Sequence, residues 1–176
     1  MAGSSAAEGK EWLRRQLLDM QPTSILDVGA GSGTYRLLLG DALPNCTWTA
    51  VEAHEPYIER FGLRHLYDNV LCVDVNFLYY LPVPQHDVTI FGDVLEHMER
   101  AAAVRVWKVE RATARKALLL SLPIVPYPQE ALEGNEYERH RATWTHEQVL
   151  AELPGITDFA LGTIVGVYRA AVESAA

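Results

Sequence analysis

Ile25-Leu26-Asp27-Val28-Gly29-Ala30-Gly31-Ser32-Gly33-Thr34-Tyr35 is the sharpest punctuation in the chain. A short apolar run breaks off at three alternating glycines, and a helical pattern begins at Thr34. Glycines in alternate positions let the backbone turn tightly and approach a ligand without interference from Cβ atoms. The helix that follows offers free N–H groups, which can receive a carboxylate. Many strand-to-helix turns need one glycine for geometry alone, so the loop gains meaning from its surroundings. Glu52 closes the second apolar run roughly twenty residues on, where a carboxylate can accept both hydroxyls of a ribose.

Outward from this loop the same alternation repeats. Trp12, Leu13, Leu17 and Leu18 recur at helical spacing over residues 9–20, ahead of the first strand. Strands are expected at 47–51, 70–75, 87–91 and 117–122, with helices over 34–43, 56–66 and 99–116 between them. A stretch rich in Tyr and Leu up to residue 84 is ambiguous, and Tyr79 and Tyr80 read as core. Thr145 is a plausible N-cap for a helix over 145–153, and residues 158–169 hold two further strand candidates. Strands alternating with helices of this length predict a parallel sheet covered on both faces, wound with right-handed crossovers into a Rossmann-like α/β domain. Ligands in such sheets bind beyond the carboxyl ends of the strands, where the glycine loop lies.

Composition narrows the function classes. The chain has 176 residues, 49% hydrophobic and 22% charged, which suits one folded domain and excludes a disordered chain. Twenty-three acidic against fifteen basic residues give a net charge of −8, which argues against generic binding to nucleic-acid backbones or anionic membranes. Cys46 and Cys72 read as reduced thiols, no apolar run approaches the length of a membrane span, and the start lacks the pattern of a secretory signal. The expectation is a cytoplasmic protein with a frayed tail over residues 1–8.

The order D-x-G-x-G-x-G, an acid ending the second strand and the helix-rich remainder resembles the class I S-adenosylmethionine-dependent methyltransferases, over residues 25–122 most closely. The resemblance implies a seven-stranded, mainly parallel sheet with the last strand antiparallel, as one methyltransferase domain over 1–176. It also implies S-adenosylmethionine (SAM) as cofactor. Asp27, Gly29, Ala30, Gly31 and Gly33 would hold its methionine part, Glu52 its ribose, and Asp74 and Val75, with Ala53 or His54, its adenine. A nicotinamide dinucleotide is the competing cofactor, but its G-x-G-x-x-G spacing would need a glycine or alanine where Thr34 stands.

Asp93-Val94-Leu95-Glu96-His97-Met98, after the fourth strand, is similar to the string that faces the transferred methyl group in small-molecule and small-RNA members. Asp93, Glu96 and His97 would share the face of a helical turn. His97 could serve as general base, with Asp93 and Glu96 beside it. The same three groups, with His140 as a further ligand, could instead grip a divalent metal as in some relatives. A third reading has Glu96 and His97 only capping a helix. Asp93 also falls within reach of the cofactor.

Residues 123–144 form a loop of unusual length, rich in proline, aromatic and hydrogen-bonding residues, and read as a substrate-covering lid. Tyr137, His140 and Trp144 are the candidate substrate contacts. The basic helix over 100–116 reads as a solvated face. Taken together, the sequence points to methyl transfer to a small-molecule acceptor, most simply onto oxygen. An RNA methyltransferase and a non-catalytic SAM-binding module are the alternatives. No separate substrate domain fits in this length, so recognition falls to the N-terminal helix (within residues 1–22), the 123–144 loop, or a second subunit in a homodimer.

Overall fold

The computed structural model describes residues 8–81, 83 and 85–173. The chain runs α1 (Lys10–Met20), β1 (Ser24–Val28), α2 (Thr34–Leu39), β2 (Thr47–Glu52), α3 (Glu55–Arg60), α4 (Leu63–Leu66), β3 (Asn69–Cys72), β4 (Val88–Gly92), α5 (Arg100–Thr113), β5 (Ala117–Pro123), α6 (His146–Glu152), β6 (Ile156–Leu161) and β7 (Val165–Ala171). The strands form one sheet in the order β3-β2-β1-β4-β5-β7-β6. Pairings from β3 through β5 are parallel, and β7 runs antiparallel to both β5 and β6. The order reverses between β1 and β4, so their carboxyl ends splay apart and leave a crevice.

Side chains alternate along each strand, and each parity feeds its own core. Ile25, Trp48, Ala50, Ile90 and Leu119 pack with Leu13 and Leu17 of α1, Tyr35 and Leu39 of α2, and Ile58 of α3. Leu26, Val28, Val51, Phe91, Leu118 and Leu120 meet Val106 and Trp107 of α5 and Val149 of α6 on the other face. Nearly continuous burial of β4 and β5 follows from this double cover.

Several element readings change in detail. The helix expected over 34–43 is α2 continued by a 3₁₀ turn, Gly40–Ala42, and that over 56–66 divides into α3 and α4. The ambiguous stretch is a 3₁₀ helix, Val75–Tyr80, which carries Tyr79 and Tyr80 into solvent rather than core, with Tyr80 72% exposed. Most of the expected tail, residues 1–7, lies outside the described residues. Glu8, its last residue, is held in place by hydrogen bonds to the β6–β7 turn. None of the described helices is long and apolar enough to cross a membrane.

Candidate active site

The carboxyl ends of β1, β2 and β4 open into a cavity of about 860 Å³ roofed by the 123–144 loop. That volume falls in the range of small-molecule sites, roughly 300–1,000 Å³. Gly29, Ala30 and Gly31 form its floor on one side. Gly29 combines a φ of 67° with a neighbour that would stand 2.5 Å from any Cβ, the Val94 methyl, so this position accepts only glycine. Glu52 ties the loop to the end of β2: its Oε2 accepts from Gly31 N–H at 2.9 Å and its Oε1 from His54 N–H at 2.8 Å. Burial raises the Glu52 carboxyl above its ordinary value, and those two N–H groups pull it back. Asp74 accepts from both nitrogens of Asn76 at 2.8 and 2.9 Å, which fixes its carboxylate at the rim beside Val75.

Beyond the end of β4, Leu95–His97 is a 3₁₀ turn rather than a helical face. Asp93 stands before it with a φ of 56°, a left-handed conformation that Asp tolerates better than most residues. Its Oδ1 accepts from Ser121 Oγ at 2.8 Å, and Ser121 in turn accepts from Tyr35. The expected trio is therefore not the one that converges. Glu96, His97 and His140 each place a ligand atom within 4.8 Å of the others, and Asp93 is outside the group. The His97 and His140 rings meet edge to face at 4.6 Å.

The roof is tied at many points. Glu96 O accepts from the N–H groups of Arg141 and Ala142 at 2.8 and 3.0 Å. Tyr57 of α3 donates to Glu138 at 2.9 Å, Gln129 donates to the Glu138 carbonyl at 2.7 Å, and Arg60 pairs with Glu133. The Tyr127 carbonyl can only accept, so His140 must carry its proton on Nδ1 to bond it. That leaves His140 Nε2 with a free lone pair in the neutral ring. Glu96 Oε2 and His97 Nδ1 are buried with no hydrogen-bond partner. The backbone of Glu138 and Arg139 passes close enough to favour the charged His97 ring slightly, without alignment for a bond to Nδ1. Burial, then the neighbouring His140, pushes His97 down to about 4. Burial, then the charge of Asp93, holds Glu96 well above the usual carboxyl range. A carboxyl oxygen of Glu96 and Nδ1 of His97, buried without partners, together with the nearby His140 ring, are the kind of donors that suit a small divalent cation.

Neither a scan against protein-family models nor a search of curated proteins returns a match. Solved structures do match. The N-terminal domain of EvdMO1, with S-adenosylhomocysteine (SAH) bound, superposes with a TM-score of 0.69 at 15% identity, over 96% of this chain and 83% of that one. The PH0226 protein from Pyrococcus horikoshii OT3 gives 0.71 at 16% identity, over 94% and 89%. The magnesium protoporphyrin IX methyltransferase of Synechocystis PCC 6803, with SAM bound, gives 0.65 at 14% identity, over 94% and 80%. The fold is that of the S-adenosylmethionine-dependent methyltransferases.

Within this methyltransferase fold, Gly29, Ala30, Gly31, Glu52, Ala53, Asp74, Val75 and Asp93 line the cavity, as do Glu96, His97, His140 and Tyr137. Three expected residues do not. Asp27 is buried behind the glycine loop, where its Oδ2 accepts from Tyr67 at 2.6 Å. Gly33 is the N-cap of α2, turned away from the cavity. Trp144 is 0% exposed, packed in the core with the Arg100 guanidinium 4.4 Å over its ring, so it cannot touch a substrate. Tyr57, Asn76 and Tyr127 line the cavity and fall outside the residues that the sequence marks. The Asp74-x-Asn76 spacing is a usable signal; nothing local marks Tyr57 or Tyr127.

Proposed function

We propose that the chain is a SAM-dependent methyltransferase acting on a hydroxyl of a small molecule, with Glu96, His97 and His140 holding a divalent cation beside the transfer point. The observation that carries this reading is one continuous cavity joining the glycine loop and Glu52 to the Glu96–His97–His140 cluster.

Each residue then has a part. The Glu52 oxygens accept one N–H apiece and keep lone pairs for ribose hydroxyls. Asp74, Ala53 and Val75 would border the adenine, while Gly29 to Gly31 and Asp93 would border the amino-acid end. Asp27 acts from behind, fixing the strand end through Tyr67, and is a positioning residue. The methyl of a sulfonium is already activated, so the chain's work is to align acceptor, methyl and sulfur and to exclude water. Tyr127 and Tyr137 give the roof apolar surface for an acceptor, half-exposed until one arrives. A divalent cation, when bound, supplies a charge that binds a hydroxyl and lowers its pKa. The lone pair on His140, fixed by the Tyr127 carbonyl, supports its use as a ligand.

A small acceptor is favoured over RNA because the basic stretch over 100–116 is partly neutralised, Arg115 and Lys116 both pairing with Asp87. Arg100 pairs with Glu152 and Arg111 with Glu173, and the whole chain carries −8. The test combines Mn²⁺ titration with SAH release in the presence of hydroxylated acceptors. Glu96→Gln and His140→Ala are expected to weaken Mn²⁺ binding by roughly 10–100-fold while leaving SAH affinity within a few-fold. SAH binding with no Mn²⁺ binding would remove the cation from the reading. Methyl transfer onto nitrogen instead of oxygen would overturn the acceptor assignment.

A further inference from the structure

Glu8 belongs to a small-residue, polar stretch of sequence, yet its carboxylate is among the most fully used in the molecule. It accepts from three successive backbone N–H groups in the β6–β7 turn: Thr163 at 2.8 Å, Ile164 at 2.9 Å and Val165 at 2.7 Å. A run of convergent N–H groups of this kind is an anion-binding nest, and here the chain fills it with its own side chain. The surroundings are shaped around that contact. A Cβ on Gly162 would lie 2.1 Å from the Glu8 carboxyl carbon. Gly9, with φ at 81°, turns the backbone from Glu8 into α1, and a Cβ there would strike Val167 at 2.3 Å. Neither neighbour can be anything larger without breaking the seat.

Position gives the contact its meaning. Glu8, Thr163, Ile164 and Val165 all line the cavity. Ile124 N–H donates to the Ile164 carbonyl at 2.8 Å, which joins the same turn to the first residues of the roof. Two residues beyond Glu8 stands half-buried Lys10: burial lowers its ammonium pKa, and the charge of nearby Asp93 opposes that shift. One carboxylate thus fastens the start of α1 to the β6–β7 turn, and the turn to the roof, around the rim nearest Asp93.

We propose that Glu8 is a latch: its seat in the Thr163–Val165 nest holds the start of α1 across the rim, and its release is the opening step through which the cavity exchanges its cofactor. The proposal rests on the cavity being the cofactor site. A charge-assisted seat on three N–H groups is strong enough to hold the closed state, and weak enough to break on the timescale of turnover.

The test compares wild type with Glu8→Ala and Glu8→Gln, the latter keeping one acceptor oxygen. Two readouts are needed: hydrogen exchange of the 163–165 amides, and stopped-flow rates of SAH association and dissociation followed by tryptophan fluorescence. Glu8→Ala is expected to speed exchange at 163–165 by about tenfold or more, while the amides of β7 that pair with β5 stay protected. Both SAH rates should rise by a similar factor, with their ratio altered less than about threefold, and Glu8→Gln should fall between. Faster exchange with unchanged SAH rates would show a turn clamp and overturn the gate. Unchanged exchange would overturn the latch itself. Failure of wild type to bind SAH would overturn the methyltransferase reading, and the gate with it.

Discussion

Asp27 shows how one buried side chain can be both legible and misjudged. The D-x-G-x-G-x-G string marks it, and the resemblance places it against the cofactor. In the fold it lies behind the loop, bonded to Tyr67, because β1 turns that position toward the inner core. Burial foremost, with the Glu52 charge adding to it, raises its carboxyl to about 7, despite the opposing bond from Tyr67. The folded chain therefore holds this proton more tightly than the unfolded chain does. Its contribution to stability is fully present below about pH 4 and is lost as pH rises toward 7. The loss is roughly 1.4 kcal/mol for each pH unit crossed, or about 4 kcal/mol in all. Asp27→Asn should remove that part of the pH dependence. Urea midpoints measured from pH 4 to pH 8 check it: a variant as pH-dependent as wild type would mean Asp27 stays ionised.

Two neighbouring aromatics in the roof separate packing from function. Both read as substrate contacts in the sequence, because an aromatic in a long loop carries no mark of which way it faces. Trp144 directly precedes Thr145, the N-cap of α6, whose capping box with Gln148 fixes the entry of the chain, and its indole lies in the core. Tyr137 belongs to the short 3₁₀ turn Glu136–Glu138 and stays at the cavity. Trp144→Ala should cost about 3–5 kcal/mol in denaturant unfolding. Tyr137→Ala should change stability by less than about 0.5 kcal/mol and lower turnover with a hydroxylated acceptor. Thr145→Ala, which removes half of the box, is expected to cost about 1 kcal/mol; no loss would mean that tertiary contacts alone hold α6.

For the molecule as a whole, the sheet was readable because its first five strands are short β-branched or apolar runs ended by turn chemistry, and β1, β2 and β4 are each followed by a helical pattern. The site was readable only where its residues are consecutive. The glycine loop with Glu52 and the Asp93–His97 string are set by strand ends, so sequence position predicts their place. The convergence of His140 on Glu96 and His97 depends on the roof folding back, through bonds such as Arg141 N–H to Glu96 O, across more than forty residues. Glu8 depends on the β6–β7 turn, which lies near the opposite end of the chain. Neither long-range closure leaves a local signature, and both define the cavity that the fold places at the β1–β4 crevice.

SAH calorimetry decides whether that cavity is a cofactor site. One SAH is expected to bind per chain, with binding weakened at least tenfold by Glu52→Ala, since two ribose hydroxyls lose a charged acceptor. At about one hundred times its dissociation constant SAH should add roughly 2.7 kcal/mol of stability, a rise in melting temperature of about 5–10 °C. No heat of binding and an unmoved melting temperature at millimolar SAH would contradict that reading.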